Sequence, residues 1–175
     1  MKSNFSHRFP VILMAFTFVL MGTMVKAQTL KVKSSTFTIS GTTNIHPYET
    51  TSTQATGELS VSDNKATVLN INVPVKSIIS GEKLMDKKTY ETFNEPQNPT
   101  ISFKMSEVKS ITTNGSDINV IVGGTLAMGG TSKTVTLEAK GKEVKPGTYT
   151  FEGSLPIKMS DYKMKAPTAM LGVMK

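Results

Sequence analysis

Apolar and polar side chains alternate along most of this chain. Phe37 and Ile39 alternate with Thr36, Thr38 and Ser40, and Leu69, Ile71, Val73 and Val75 with Asn70, Asn72 and Pro74. Ile101, Phe103 and Met105 alternate with Ser102 and Lys104. The same period runs through Ile118, Val120 and Val122, through Val135, Leu137 and Ala139, through Tyr149 and Phe151, and through Leu155, Ile157 and Met159. Successive side chains of a strand point to opposite faces, so each run predicts a strand with one apolar face. Turn residues separate many of the runs: Asp63-Asn64, Asn114-Gly115, Gly129-Gly130 and Pro146-Gly147. Connections this short make neighbouring strands antiparallel. The pattern predicts an all-β antiparallel meander of about eight strands.

One segment breaks the period. Ser80 to Asn94, SGEKLMDKKTYETFN, has no alternation and is rich in helix formers. Met85, Thr89 and Phe93 recur at helical spacing, and Gly81 and Pro96 bracket the stretch. A short amphipathic helix is expected here, between the fourth and fifth strands. One-sided strands are stable as a closed barrel or a two-sheet sandwich. A sandwich calls for long Greek-key crossovers, and the mostly short loops favour the barrel, with the helix against it or over its mouth.

The first 27 residues fall outside this pattern. Lys2 and Arg8 precede an apolar run from Pro10 to Met24, and Val25-Lys26-Ala27 offers small residues at the positions a signal peptidase reads. The expectation is a signal peptide cleaved after Ala27, which directs residues 28–175 as one domain to the periplasm or beyond. The apolar run is short for a membrane span of about 20 residues, and no later stretch is long enough to be one. The chain has no cysteine, so its stability comes from a core and not from disulfides.

Charge and composition narrow the function. Removing Lys2, Arg8 and Lys26 from the 20 basic residues leaves 17 lysines against 13 acids, with no arginine and no tryptophan. Nucleic-acid sites favour arginine forks and stacking aromatics, so nucleic acid is excluded as a partner. His46 is the single histidine after the leader, and with no cysteine it has no partners for a zinc site. No Gly-x-Ser-x-Gly elbow accompanies it, which argues against a nucleophilic triad. Gly129 to Leu137, GGTSKTVTL, lacks the Gly-Lys-Ser/Thr of a phosphate loop and leads into a strand. Glu82, Asp86, Glu91 and Glu95 interleave with Lys83, Lys87 and Lys88, as on a solvated helix face. Met85, Met105 and Met128 suit either core filling or contact with an apolar ligand.

Two longer stretches carry a family resemblance. KSIISGEKLMDKKTYETFNEPQNPTISFKM resembles the central signature of the YceI-like, polyisoprenoid-binding family, through Ser77-Ile78, Met85-Asp86, Phe93 and Pro99 to Phe103. GGTLAMGGTSKTVTLEAKG resembles its second signature, through Gly124, Leu126, Met128, Gly130, Thr131 and Lys133. Ser40 to His46 is similar to a subgroup's first strand region. Around the helix the chain has Lys87, Lys88 and Tyr90, where the family is richer in arginine and histidine. The resemblance implies a lipocalin-like barrel, export, a long isoprenoid-like ligand inside, and no enzyme activity. It also implies one more strand beyond the final LGVMK, so a truncated C-terminal end is expected at Lys175.

Together these readings predict a carrier or sequestering protein for a long apolar molecule, an isoprenoid-like lipid or a quinone, with no cofactor or metal. The expected lining is Phe37, Ile39, Leu69, Ile71, Val73, Ile101, Phe103, Val120, Val122, Leu137 and Phe151, with Met85 and Phe93 from the helix. His46 and Tyr90 are expected at the polar mouth. The alternatives are a structural or stress-response module with a filled core that acts through its outer surface, and an enzyme acting on the bound lipid. A homodimer stays open.

Overall fold

The structure, a computed structural model, describes residues 28–42, 47–62 and 65–165. The expected signal peptide, His46, the Asp63-Asn64 turn and the C-terminal end all lie outside these residues.

The described chain forms nine strands and one α-helix. The strands are β1 (Gln28–Lys31), β2 (Phe37–Thr42), β3 (Pro47–Ser52), β4 (Thr56–Ser62), β5 (Lys65–Pro74), β6 (Thr100–Asn114), β7 (Asp117–Met128), β8 (Thr131–Lys145) and β9 (Thr148–Ser154). The helix, α1 (Lys83–Phe93), joins β5 to β6. Seven strands form an antiparallel sheet in the order β1-β4-β5-β6-β7-β8-β9, and β2 pairs with β3 in a separate hairpin. The meander therefore holds from β4 to β9, while the β2–β3 hairpin is inserted between two strands that pair with each other.

The register lines the apolar positions up in rows. Leu30 faces Leu59, which faces Leu69. Ile71 faces Phe103, which faces Leu126. Further along run Val108, Val122 and Leu137, then Ile111, Val120 and Ala139, then Ile118, Gly141 and Phe151. Two irregularities in the β6–β7 register, at Met105/Glu107 and Val108/Ser110, bend the sheet. The sheet curls so far that Gln28 of β1 approaches the β8–β9 turn, its Nε2 lying 3.8 Å from where a Cβ on Gly147 would sit. The two edge strands belong to the same open-sided, lipocalin-like antiparallel barrel.

The helix starts and stops where its backbone demands. Gly81 takes φ 89° just before it, and Asn94 closes it in the left-handed conformation at φ 50°, with its N–H on the carbonyls of Tyr90 and Glu91. Asp86 accepts hydrogen bonds from both the Ser80 N–H and the Ser80 hydroxyl, each 2.7 Å, which fixes the entry turn. The expected run through Leu155, Ile157 and Met159 is not a strand. Pro156 interrupts it, and a proline supplies no N–H to a ladder, so residues 155–158 are irregular and Met159–Tyr162 form a 3-10 turn.

The fully buried core sits at one end of the sheet. Val73 at the end of β5, Ile101 at the start of β6 and Met128 at the end of β7 meet Val75, Ile78, Phe93, Tyr162 and Met164 there. Phe37 and Ile39 of the hairpin and Tyr90 of the helix pack against this cluster. The hairpin is joined to the same end by backbone hydrogen bonds between Thr51 and Ile79, 2.8 and 2.9 Å. One end of the curled sheet is thus plugged by helix, hairpin and 3-10 turn. The other end carries the β6–β7 and β8–β9 turns.

Candidate functional site

Between the plug and those two turns the inner face of the sheet forms an apolar trough. Val135, Leu137 and Ala139 are half-buried on β8 while Thr134, Thr136, Glu138 and Lys140 are exposed. Leu59, Leu69, Ile71, Met105, Val108, Ile118 and Val120 are half-buried on the neighbouring strands. In the core of a sandwich these positions would be as fully covered as Val73 is. Here they keep part of their surface open, which is the geometry of a groove that can take an apolar chain.

Aromatic rings cover glycines within the trough. A Cβ on Gly124 would lie 2.6 Å from Phe103 Cζ and 2.6 Å from the Lys104 carbonyl oxygen. The Phe151 ring lies over Gly141, its directly opposed partner. Phe151 itself is 46% exposed at the open end, stacked on Tyr149 with 6.5 Å between ring centroids. Burial, then the nearby Glu143, holds the Tyr149 phenol above its ordinary value.

The sequence-predicted residues divide between the two regions. Val73, Phe93 and Ile101 are in the buried plug, with Phe37, Ile39 and Tyr90 packed on it. Leu69, Ile71, Val120 and Leu137 line the trough half-buried, and Phe103 and Val122 are buried in its floor. Met85 is half-buried on the helix. Tyr90 lies at the plugged end, where its hydroxyl donates to the Lys76 carbonyl at 3.0 Å. Burial, then Asp86 and Glu95, pushes its phenol up. Lys76 also pairs with Glu95 at 3.4 Å, so the start of the β5–β6 connection is tied to the helix end.

The expected lining left out Leu30, Leu59 and Val135, although Val135 is in an alternating run and Gly57, Leu59 and Val61 alternate with Glu58 and Ser60 and so carried the signal. It also missed Tyr162, whose burial depends on a turn that no periodicity marks.

A second depression, of about 500 Å³, lies on the polar side of the sheet. Lys31, Glu58, Asn70, Asn72, Ser102 and Lys104 line it, and of the expected ligand residues only Phe103 borders it. Its walls do not suit an apolar chain. Among the described residues no group of three or more histidine, cysteine or acidic side chains is placed to hold a metal, and no helix is long and apolar enough to cross a membrane.

Comparison with known proteins agrees with this architecture. The YceI-like domain matches residues 23–174. Burkholderia cenocepacia BcnA is similar at 25% identity and a TM-score of 0.62, over 75% of this chain and 82% of its own. A polyisoprenoid binding domain from Saccharophagus degradans, implicated in plant cell wall breakdown, shares the fold at 14% identity and a TM-score of 0.60, over 84% of this chain and 86% of its own. The Campylobacter jejuni YceI protein shares it at 16% identity and a TM-score of 0.51, over 98% and 85%. No curated protein matches the chain.

Proposed function

Because the chain belongs to the YceI-like family, we propose that it binds a long apolar molecule, isoprenoid-like or similar, along the inner face of its curled sheet. The observation that carries this reading is the half-buried apolar rows between the plug and the open-end turns. Each buried CH₂ contributes about 0.8 kcal/mol, so ten carbons gain roughly 8 kcal/mol before the loss of motion on binding is subtracted. Micromolar affinity corresponds to about 8.2 kcal/mol net, so it calls for a longer buried chain, of about fifteen carbons or more. The Saccharophagus degradans domain of the same fold is described as polyisoprenoid binding, which supports the ligand class.

The protein would carry, store or sequester this molecule without chemical change. The apolar run before Ala27 supports export, which places the cargo outside the cytoplasm. Native mass spectrometry after detergent-free purification tests the reading. A ligand adduct, or saturable uptake of a prenyl chain by stripped protein, is expected. Bare protein that takes up no prenyl chain contradicts it.

The polar depression supports a second reading, a module that acts through its outer face. Substituting Asn70 and Asn72 together separates the two: the trough reading expects unchanged prenyl uptake.

A further inference from the structure

Tyr162 has a hydroxyl with no hydrogen-bond partner among the described residues, although the residue is only 2% exposed. Native proteins keep few such groups, because a buried hydroxyl without a partner has given up water for nothing. The backbone holds it there deliberately. Lys163, directly after it, adopts the left-handed conformation at φ 56°, with its N–H on the carbonyls of Met159 and Ser160. The Met164 N–H also bonds the Met159 carbonyl at 3.0 Å. A non-glycine residue in this region is strained and persists only where its surroundings fix it. The result is a closed turn that turns the tyrosine inward, onto the plug at the end of the trough.

Apolar side chains surround it, and the charge that acts on its phenol is the anionic carboxylate of Asp161. The cluster joins Tyr162 to Val73, Phe93, Ile101, Met128 and Met164, with Met159 packed against it. Three of these are methionines, unbranched side chains that can shift to admit a guest. A phosphate or carboxylate brought among them would lose its hydration and be repelled by the Asp161 carboxylate. A neutral oxygen would gain a donor that has no other partner.

We propose that Tyr162 Oη is a ligand-binding donor at the plugged end of the trough, giving its hydrogen bond to an uncharged acceptor oxygen, such as a carbonyl, on a long apolar ligand. The inference rests on the lipid-binding reading and adds the ligand's polarity and direction: acceptor end inward, chain trailing toward the β6–β7 and β8–β9 turns.

The test uses three probes of nearly equal chain length, farnesylacetone (a ketone), farnesene (a hydrocarbon) and farnesyl diphosphate, with the wild-type chain and Tyr162→Phe. The ketone is expected to bind the wild type more tightly than the diphosphate, and to lose roughly five- to tenfold in affinity for Tyr162→Phe. Farnesene is expected to bind both proteins alike. Equal ketone affinity for the two proteins, an equal loss for ketone and hydrocarbon, or a preference for the diphosphate overturns the inference while leaving lipid binding intact. If no probe binds the wild type, the lipid-binding reading fails and this inference with it. A further readout needs no ligand: the melting temperature of Tyr162→Phe should be unchanged or higher, and a clear drop would show that the hydroxyl already has a partner.

Discussion

The hydroxyls of Ser52 and Ser77 lie 2.6 Å apart, and they pin the β2–β3 hairpin to the main sheet. The Ser77 hydroxyl donates to the Pro74 carbonyl at 2.6 Å, so Ser52 is the donor between the two serines. Ser52 Oγ in turn accepts from the Gln54 N–H at 3.1 Å. This relay runs from the hairpin to the end of β5, and Ser52 is buried. It holds in place the element that brings Phe37 and Ile39 onto the plug.

Ser77→Ala is therefore expected to destabilise the protein by about 1–2 kcal/mol, since it removes one acceptor and one donor and leaves Ser52 Oγ–H buried and unmatched. Urea unfolding measures it. The double variant Ser52→Ala/Ser77→Ala should cost less than the sum of the single changes, because both act on one relay.

Gly124→Ala should cost about 1–3 kcal/mol through overpacking. The added methyl meets the Phe103 ring and, at the same 2.6 Å, a Lys104 carbonyl that belongs to the paired strand and cannot swing away. A Phe103→Leu background should recover part of the loss, as a comparison of unfolding midpoints would show.

Leu137→Glu places a charge in the trough and is expected to weaken prenyl uptake at least about tenfold. Thr134→Glu lies on the exposed face of the same strand and should leave uptake unchanged. Equal effects from the two would locate binding elsewhere.

Tyr162 also predicts a dependence on pH. Burial, then the Asp161 carboxylate, holds its phenol above the usual value near 10. The folded state keeps a proton that the unfolded chain releases. The stabilisation is complete below about pH 10 and is lost as pH rises through the higher folded value. Stability measured between about pH 9 and 11 should fall more steeply for the wild type than for Tyr162→Phe. Tyr90 and Tyr149, also raised, leave a residual slope in the variant.

The sequence made the strands legible because alternation reports directly which side of a strand is apolar. Ile71, Phe103 and Leu137 could be assigned to one face before any pairing was known. The helix was equally plain: the aperiodic stretch from Ser80 to Asn94 contains Lys83–Phe93 with its stop at Asn94. Alternation does not say which strands become neighbours. The pairing of β1 with β4 around the β2–β3 hairpin rests on contacts distant in sequence, among them Thr51 with Ile79. Nor does it say how deeply a position is covered. Val73 and Ile101 belong to the plug, whereas Leu69 and Val120 have the same pattern and stay half-open, because helix, hairpin and 3-10 turn converge on one end only. Tyr162 was invisible for the same reason: one tyrosine among polar neighbours acquires its role only when the turn at Lys163 folds it inward.

If the inner face of the sheet, and not its outer surface, receives an apolar chain, the methyl groups on that face must respond to it. Methyl NMR of the full chain, labelled at Ile, Leu and Val and titrated with farnesene, reads this out residue by residue. Saturable shifts at Leu59, Leu69, Ile71, Val120 and Leu137, with little change at the outward-facing Val68, are the predicted result. No saturable shift at those five methyl-bearing residues, or shifts gathered around Val68 instead, would contradict it.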